Sequence, residues 1–296
     1  MSKKITISVI IASLIIGYLI ALAGSQGSVQ LNGWPLFAIC ASVGYLLHWL
    51  IFIPSYSFQT EHYFDLTGSI SYLMAISLCF MLNPSSDPRD LIIGSLIVIW
   101  AIRLGTFLFT RVRKDGKDKR FTVMKTQFTW FLMTWTLGGL WVFITMAAGL
   151  AAITSNETVA LGWLTLIGVC LWLFGFTIEV IADKQKRDFK KNPTRENEFI
   201  TTGLWAWSRH PNYFGEIVLW VGIALIALPA LSGWQLVTLI SPIFVYILLT
   251  KISGVPLLEN RALKKWGSDL DYTSYLERTP KIILKKPKIN KKEKHD

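Results

Sequence analysis

Four polar side chains occur together where a loop runs into an apolar helix, in the stretch GLWAWSRHPNYFGEIVLW: Arg209, His210, Asn212 and Glu216. Pro211 suits the first turn of a helix, because its missing N–H costs nothing there. Asn212 and Glu216 then lie one turn apart on one helical face. Arg209 and His210 precede the helix, whose N-terminal end adds positive potential for an anion. The stretch predicts an anion-binding site formed by Arg209 and His210 just before the helix, which we call the anion clamp, and a hydrogen-bond donor and acceptor on the helix. A ligand with an amide-bearing ring tethered to a phosphate would use both. Gly215 leaves a gap beside this pair for a ligand or for another helix.

The elements that must hold these residues are predicted to be membrane-spanning helices. Of the 296 residues, 52% are hydrophobic and only 17% are charged. Apolar runs of about 20 residues are typical of helices that cross a bilayer. The first run is too long for a typical secretory signal and has no clear cleavage site before Gly24, so we interpret it as a retained helix. The sequence predicts an all-α, polytopic helical bundle with eight spans: 4–23, 34–54, 64–83, 90–110, 127–151, 160–182, 213–230 and 235–252.

The positions of the basic residues predict the topology. All 30 lysines and arginines except Arg89 and Arg103 lie on the side that an even number of spans assigns to the N-terminus. The positive-inside rule therefore predicts that both termini are cytoplasmic. The net charge of +11 needs no nucleic acid to explain it, because basic loops and the tail KKPKINKKEKHD suit anionic lipid headgroups.

Several ionisable residues fall inside the apolar runs, where they are costly and are usually retained for function. With the predicted topology they all lie in the cytoplasmic half of the bilayer, which indicates a pocket opening to the cytoplasm. The alternatives are that Arg103 snorkels to the interface and that Asp65 and Asp183 cap helix ends. The three cysteines have no metal-like spacing, and we expect neither a disulfide framework nor a metal site. The residues concerned are Asp65, Arg103, Glu179, Asp183, Glu216 and Lys251.

The stretch around Glu216 resembles the C-terminal signature of the steroid 5α-reductase-like membrane proteins, and in particular their bacterial branch. This family is related to sterol reductases and to isoprenylcysteine carboxyl methyltransferases. The resemblance continues in IEVIADKQKRDFK (178–190) and SGVPLLENRALKKWGSDLDYTSYLERTPKIIL (253–284), and more weakly in 61–72 and 99–111. It implies a multi-pass protein of the bacterial inner membrane, with N-terminal helices (1–125) lining a substrate pocket, cofactor-binding helices (126–280) and a basic tail (281–296), all in one membrane domain.

The resemblance also implies that the protein binds NADPH and reduces an activated C=C bond of a lipid-like enone. Asn212 and Glu216 match positions that hold the nicotinamide, and Asp183, Arg187 and Lys190 match the segment that contacts the adenosine and its phosphates. Without the resemblance, Lys190 and Arg261 would be interpreted as solvated loop charges. The full set of cofactor-binding candidates is Arg103, Glu179, Asp183, Arg187, Lys190, Trp207, Arg209, His210, Asn212, Tyr213, Glu216, Lys251, Glu259, Arg261, Tyr272 and Tyr275.

Such a reaction needs a hydrogen-bond donor aimed at the carbonyl oxygen on which negative charge develops. The catalytic candidates in the N-terminal half are Glu61, Tyr63, Asp65 and Tyr72. Asp65 and Tyr72 share one face of the third helix with Ser69, and a carboxylic acid in an apolar pocket can remain protonated as a donor. The alternative is that Tyr63 and Tyr72 are interfacial aromatic residues.

The chain departs from the steroid enzymes where they have a catalytic tyrosine before the arginine of the fourth helix. Trp100 occupies that place, so steroid substrates are not required, and an enone, a quinone-like compound or an unsaturated lipid fits as well. Two alternatives stay open. Membrane methyltransferases that use S-adenosylmethionine and act on prenylcysteine or phospholipid headgroups show an Arg-His-Pro-x-Tyr-x-Gly string, here RHPNYFG. They also have a late acidic pair, represented here by Glu259 followed by Asn260 instead of a second Glu. A non-catalytic lipid-binding protein would retain the helices with an inert pocket. In every case the expected partners are a hydrophobic substrate or lipid and the membrane lipids, and the oligomeric state is left open.

Overall fold

The structure, a computed structural model, describes residues 2–83, 87–115 and 121–287, without the side chains of Arg111, Lys114 and Asp115. The part of the predicted basic tail from residue 288 onward lies outside the described residues. The helices found in the described part are α1 (Lys3–Gly24), α2 (Leu36–Ser57), α3 (Phe64–Leu82), α4 (Pro88–Asp115), α5 (Phe128–Ile153), α6 (Trp163–Lys191), α7 (Pro211–Ala227), α8 (Ile240–Ile247), α9 (Val255–Trp266) and α10 (Leu270–Arg278).

Eight described segments are long and apolar enough to cross a membrane, which confirms the predicted polytopic helical bundle. The protein is therefore an integral, multi-pass membrane protein. Each segment overlaps one predicted run, and α7 begins at Pro211 as expected. The segments are Lys3–Gly24, Leu36–Ser57, Phe64–Leu82, Pro88–Thr110, Phe128–Ile153, Trp163–Lys191, Pro211–Ala230 and Gly233–Trp266.

Two of the segments differ in detail from the prediction. Helix α6 continues nine residues beyond the predicted end at 182, to Lys191, because no glycine or proline interrupts the chain before Pro193. The eighth run is not one regular helix. It begins with a 3-10 helix (Gly233–Leu239) capped by Ser232, continues as α8 and ends in a π-helical turn (Leu248–Ile252).

The chain divides into two compact units, of which the first comprises Met1–Gly168 and Ile223–Ser241. Helix α5 is the centre of this unit, because it packs against α1, α2, α3 and α4 and its last two-thirds are almost entirely buried. Packing thus groups α5 with the amino-terminal helices. The prediction from the sequence assigned α5 to the cofactor-binding helices of residues 126–280. The second unit comprises Val169–Gly222 and Pro242–Asp296.

A short β-hairpin, which was not predicted from the sequence, joins α1 to α2. Its strands, β1 (Gln30–Leu31) and β2 (Trp34–Pro35), pair antiparallel. The two residues between them, Asn32 and Gly33, both have positive φ, 48° and 84°. An Asn-Gly pair with this geometry is the preferred connection of a two-residue hairpin.

Arg89 is a structural residue of the first unit. Its side chain is 1% exposed, and its guanidinium donates to the Ile226 carbonyl at 2.7 Å and to the Val159 and Ala160 carbonyls at 3.0 and 2.8 Å. It thereby satisfies carbonyl groups at the end of α7 and in the 159–160 loop, which otherwise have no intrahelical donor.

We expect Arg89→Gln to lower the free energy of unfolding by several kcal/mol, because each buried carbonyl left without a donor costs about 1–3 kcal/mol. The measurement is the thermal unfolding midpoint of the purified protein in detergent. Arg195→Gln is the control, since its exposed ion pair with Glu198 spans 3.8 Å and such pairs contribute little. Equal midpoints for the two variants would contradict a structural role for Arg89.

Candidate functional site

Helices α6 and α7 cross in direct backbone contact at two glycines in the second unit. A Cβ atom placed on Gly215 would lie 2.5 Å from the Gly175 carbonyl oxygen and 2.7 Å from the Glu179 backbone nitrogen. A Cβ atom on Gly175 would lie 2.5 Å from the Gly215 oxygen and 2.7 Å from the Leu219 nitrogen. Only glycine permits so close an approach. The gap that the sequence predicted beside Gly215 is therefore filled by helix α6.

This crossing brings polar groups of α6 and α7 together inside apolar spans. The amide of Asn212 donates to the Asp183 carboxylate at 3.2 Å, and Glu179 lies against Gly215. The carboxylates of Glu179, Asp183 and Glu216 are 2%, 8% and 9% exposed. Burial of a carboxylate is costly unless it is paired or hydrogen-bonded, and the Asn212 amide is one such partner of Asp183. In the described part of the chain, no group of three or more His, Cys, Asp or Glu residues is arranged to hold a metal ion.

Glu259, on α9, contacts both Arg209 and His210, the two residues that precede Pro211 at the start of α7. One of its oxygens, Oε1, lies 3.0 Å from Arg209 Nη1 and 3.4 Å from His210 Nε2. The other, Oε2, lies 3.3 Å from Lys281 Nζ. The imidazole of His210 also stacks on the Tyr213 ring, with centroids 5.5 Å apart and planes inclined by 9°. The predicted anion clamp is thus arranged around one carboxylate.

The chain after α10 pairs with the loop that carries Arg209 and His210. The Arg209 N–H donates to the Pro280 carbonyl at 2.9 Å, and the Lys285 N–H donates to the Trp207 carbonyl at 3.0 Å. Between them, the Ser208 hydroxyl donates to the Ile282 carbonyl at 2.8 Å and accepts from the His210 N–H at 3.2 Å. The loop is consequently fixed by backbone contacts on both sides of Ser208.

Two nitrogen atoms of this loop are buried and have no hydrogen-bond partner among the described residues: Arg209 Nε and His210 Nδ1. The Arg209 Nε–H is a donor, and oxygens of phosphate and carboxylate groups are acceptors that suit the geometry of an arginine side chain. If His210 donates through Nε2 to Glu259, its Nδ1 is left as an acceptor. The Arg209 Nε–H would pair with a ligand acceptor such as a phosphate oxygen, whereas His210 Nδ1 would pair with a ligand donor such as a hydroxyl or an amide N–H.

Burial lowers the pKa of His210 from its ordinary value of 6.5, and the charge of Lys186 lowers it further, although the hydrogen bond with Glu259 opposes the shift. The folded protein therefore favours the neutral imidazole. At pH values between the lowered pKa of His210 and 6.5, the unfolded chain therefore binds more protons than the folded protein does.

We expect the stability contributed by neutral His210 to be present above pH 6.5 and to be lost as the pH falls through the lowered pKa. The thermal midpoint should therefore decrease between pH 7.5 and 5.5, and His210→Gln should flatten that profile. His62→Gln changes an exposed histidine and should keep the wild-type slope. A His210→Gln profile parallel to that of the wild type would show that another group causes the decrease.

The remaining cofactor-binding candidates are placed differently. Tyr272 and Tyr275 pack against Phe199 in an aromatic cluster of the second unit, and the Tyr275 hydroxyl donates to the Trp205 carbonyl at 2.7 Å. Burial raises the pKa of both tyrosines, so their hydroxyls stay protonated. Arg103 belongs to the first unit, where its guanidinium lies 5.3 Å from the centroid of the Phe107 ring. The candidates with exposed side chains are Arg187, Lys190, Trp207, Lys251 and Arg261.

The structure does not bring the four catalytic candidates of the first unit into one group. Glu61 is buried and accepts from Lys125 Nζ at 2.6 Å, so its carboxylate is an acceptor in this arrangement. Tyr63 is 51% exposed and lines a cavity between α2 and α3. Tyr72 is 1% exposed and packs edge-on against Trp100 at 5.3 Å.

The helical periodicity of α3 explains why Tyr63 is separated from Asp65 and Tyr72. Asp65, Ser69 and Tyr72 share a face that packs against α4, as shown by the contact between Ser69 and Gly105 and by the Tyr72 contact with α4. Tyr63 lies on the other side of the helix. Residues seven apart share a helical face and residues two apart do not.

Three residues that shape the second unit were not predicted from the sequence. Gln185 accepts from the Leu204 N–H at 3.0 Å, Ser208 holds the loop, and Lys281 pairs with Glu259. Gly203, whose φ is 62° and which lies against Gln185, gave the only local signal, since a glycine after two threonines often marks a turn. The contacts of Ser208 and Lys281 join distant parts of the chain and left no local pattern.

These features define a class of protein: a multi-pass helical membrane protein with buried carboxylates between two crossed helices and a fixed basic loop before one of them. Residues 51–279 match the family described as "Protein of unknown function (DUF1295)". The chain belongs to this family, which is steroid 5α-reductase-like, and the resemblance found in the sequence is confirmed.

Three relatives give the extent of the similarity. The chain is 36% identical over 69 residues to 3-oxo-5-alpha-steroid 4-dehydrogenase 1 of Bos taurus, covering 23% of this chain and 26% of that protein. It is 31% identical over 86 residues to the Mus musculus protein of the same name, covering 28% and 31%. It is 29% identical over 108 residues to an uncharacterised protein of Schizosaccharomyces pombe, covering 29% and 31%. The chain thus spans less than a third of the length of these relatives. No solved structure matches it.

Proposed function

We propose that this protein is a membrane-embedded reductase that uses NADPH to reduce an activated C=C bond of a lipid-like enone. Membership of a steroid 5α-reductase-like family supports a reductase, and two of the relatives are named 3-oxo-5-alpha-steroid 4-dehydrogenase 1. The observation that carries the proposal is the buried Arg209 Nε, which has no hydrogen-bond partner among the described residues and precedes the helix that carries Asn212 and Glu216. A buried donor left unpaired costs free energy, which a phosphate oxygen of the cofactor would recover.

The residues of the second unit fit the two ends of this cofactor. Glu216 would accept from the carboxamide of the nicotinamide, with Asn212 on the same helical face. Arg209 would donate to a phosphate through Nε, and Arg187 and Lys190, on the exposed last turns of α6, would contact the adenosine and its phosphates. NADPH supplies a hydride when it is bound. The chain's own task there is to bind, to orient and to exclude water.

The proposed reaction also requires a hydrogen-bond donor for the carbonyl oxygen on which negative charge develops. Because Glu61 already accepts from Lys125, the better candidates are Tyr63, Asp65 and Tyr72. Asp65 and Tyr72 lie on the face of α3 that packs against α4, and Tyr72 contacts Trp100. The positive-inside distribution supports a site that opens to the cytoplasm of a bacterial cell, with both termini on that side.

A methyltransferase that uses S-adenosylmethionine is the second candidate. The observation that favours it is the contact of Glu259 with both Arg209 and His210, because this contact unites the two sequence features shared with membrane methyltransferases. A non-catalytic lipid-binding protein is the third. If the protein is a methyltransferase, Arg187 and Lys190 would have less to bind, because S-adenosylmethionine carries no phosphate.

Titration of the purified full-length protein with NADPH, NADH and S-adenosylmethionine tests the three functions. The readouts are the thermal midpoint and the fluorescence of the 13 tryptophans. Stabilisation by NADPH alone supports the reductase, and stabilisation by S-adenosylmethionine alone supports the methyltransferase. Stabilisation by none of them, repeated in the presence of bacterial lipid extract, supports the lipid-binding protein.

Substitution of Arg187 or Lys190 by alanine should weaken NADPH binding about tenfold, which corresponds to 1.4 kcal/mol, and should weaken NADH binding less. The reason is that the lost contact would be to the additional phosphate. Lys184→Ala, which removes an exposed charge from the same helix, is the control and should leave both affinities unchanged. Equal losses for NADPH and NADH would count against the assignment of these residues to that phosphate.

A further inference from the structure

The segment that follows α10 exposes apolar and cationic side chains side by side. Ile283 is 69% exposed, and Lys285 and Lys286 are exposed as well. Trp207, on the loop with which this segment pairs, is 40% exposed. These four residues all belong to the second unit, and we call them the Trp207–Lys286 patch. Exposed apolar side chains that are flanked by polar ones are typical of a surface that contacts a protein or a membrane.

Hydrogen bonds hold the two parts of the patch together. The Lys285 N–H donates to the Trp207 carbonyl at 3.0 Å, and the Ser208 hydroxyl donates to the Ile282 carbonyl at 2.8 Å. Because Ile282 and Lys285 lie on either side of Ile283 in the chain, these contacts place the isoleucine on a segment that runs alongside the loop.

The patch lies at the end of a membrane span. The span Pro211–Ala230 begins four residues after Trp207, so the loop is at the level where hydrocarbon gives way to headgroups. Tryptophan is enriched at this level in membrane proteins. The predicted topology places this end of the span in the cytoplasmic leaflet, whose anionic lipids attract lysines close to the membrane.

The charges of the patch are available to a ligand. Lys281 Nζ lies 3.3 Å from Glu259 Oε2, so its charge is partly neutralised within the protein. Among the residues that the structure describes, neither Lys285 nor Lys286 forms an ion pair with a carboxylate. A soluble anion would pair with these lysines but leave the apolar side chains in water. A phospholipid with a net negative charge would cover both.

We propose that the Trp207–Lys286 patch is a binding site for an anionic phospholipid. The phosphate of the lipid pairs with Lys285 and Lys286, and its glycerol end lies against Trp207 and Ile283. Because the same segment is hydrogen-bonded to the Arg209–His210 loop, the bound lipid also stabilises that loop. The assignment goes beyond the proposed reductase function, since it concerns a lipid of the surrounding membrane and requires neither cofactor nor substrate.

The test uses the full-length protein in nanodiscs of phosphatidylcholine, with no cofactor added. Two photoreactive probes are compared, a phosphatidylglycerol and a phosphatidylcholine that carry the same diazirine near the glycerol end of one acyl chain. After irradiation, mass spectrometry identifies the labelled peptides. We expect the phosphatidylglycerol to label peptides that contain Trp207 or Ile283 at least about tenfold more than the phosphatidylcholine does, because two lysines favour its net negative charge.

Two pairs of variants locate the site. Lys285→Gln and Lys286→Gln should each lower labelling by the phosphatidylglycerol about fivefold. Lys184→Gln and Lys264→Gln remove exposed charges elsewhere in the second unit and should leave it unchanged.

The second pair tests the apolar part of the patch. Ile283→Ser should weaken labelling by the phosphatidylglycerol. Leu270→Ser, which changes a leucine of the same unit that is 84% exposed, should not.

The effect on the loop is measured by hydrogen exchange of the Arg209 and Lys285 N–H groups, which donate to the Pro280 and Trp207 carbonyls. Bound lipid should make opening of these hydrogen bonds rarer. We expect both groups to exchange about fivefold more slowly in nanodiscs that contain phosphatidylglycerol than in phosphatidylcholine alone. Exchange rates that do not depend on phosphatidylglycerol would contradict the stabilisation of the loop.

Equal labelling by the two probes, or equal effects of the patch lysines and the control lysines, would overturn the proposal. Displacement of the phosphatidylglycerol probe by inorganic phosphate would also overturn it, because the site would then bind a soluble anion. Each variant changes an exposed side chain, and the thermal midpoint of each verifies that it is folded. No readout uses NADPH, so failure of the proposed reductase function would not alter these results.

Discussion

Replacing Glu216 by glutamine is expected to raise the Kd for NADPH by about 10- to 100-fold while the protein stays folded. A hydrogen bond to a charged group contributes about 1.5–3 kcal/mol, and glutamine keeps the shape of the side chain but removes its charge. Glu216 is 9% exposed, so water cannot readily compensate for the weaker, uncharged acceptor. This is the largest expected effect on cofactor binding.

The measurement is NADPH titration by tryptophan fluorescence, with the thermal midpoint recorded for each variant. Glu277→Gln, which changes an exposed carboxylate on α10, is the matched control and should bind NADPH like the wild type. An unchanged affinity in Glu216→Gln would remove this carboxylate from the cofactor site, and the buried position of Glu216 would then need a structural explanation.

Gly215→Ala is expected to destabilise the protein and to disturb the contact between α6 and α7. Alanine is favoured over glycine within a helix by about 0.5–1 kcal/mol. Its Cβ atom would, however, lie 2.5 Å from the Gly175 oxygen and 2.7 Å from the Glu179 nitrogen. Both are backbone atoms and cannot rotate away, so α6 and α7 must separate. Overpacking costs about 1–3 kcal/mol and occasionally more, which exceeds the gain in helix propensity.

Thermal unfolding in detergent checks this prediction, with Gly162→Ala as the control. No atom lies within 4 Å of the Cβ position at Gly162, and a change of less than about 0.5 kcal/mol is expected there. Because the crossing also positions Asp183 and Glu179, Gly215→Ala should weaken NADPH binding as well. A variant as stable as the wild type would show that the two helices are not in backbone contact.

The membrane spans could be predicted from the sequence because the bilayer imposes a length and an apolar composition on each span. The start of α7 was also predictable, since Pro211 follows polar residues and precedes an apolar run. The end of α6 was not found by hydropathy, because its last turns leave the apolar region while remaining helical. Asn192 and Pro193 mark that end, and attention to helix-stop residues would have located it.

The side-chain contacts within the site were harder to predict from the sequence. The contacts of Glu259 with Arg209, His210 and Lys281 join residues that are 22 to 50 positions apart, and no local periodicity encodes them. The ion pair of Glu61 and Lys125 likewise joins residues that are far apart in the sequence. The sequence did indicate which residues carry unusual polarity for their surroundings. It did not indicate which of them share a neighbour, because that depends on how the helices cross.

The pairing of residues 280–285 with the 207–209 loop has a practical consequence for work with this protein. The segment after α10 resembles a dispensable basic extension, and a shortened gene ending at residue 279 would still encode every apolar span. Such a product would insert into membranes normally and yet lack one side of the Arg209–His210 loop. Reporter or purification fusions should therefore follow Lys285, and loss of ligand binding in a shortened chain should not be taken as a failure of membrane insertion.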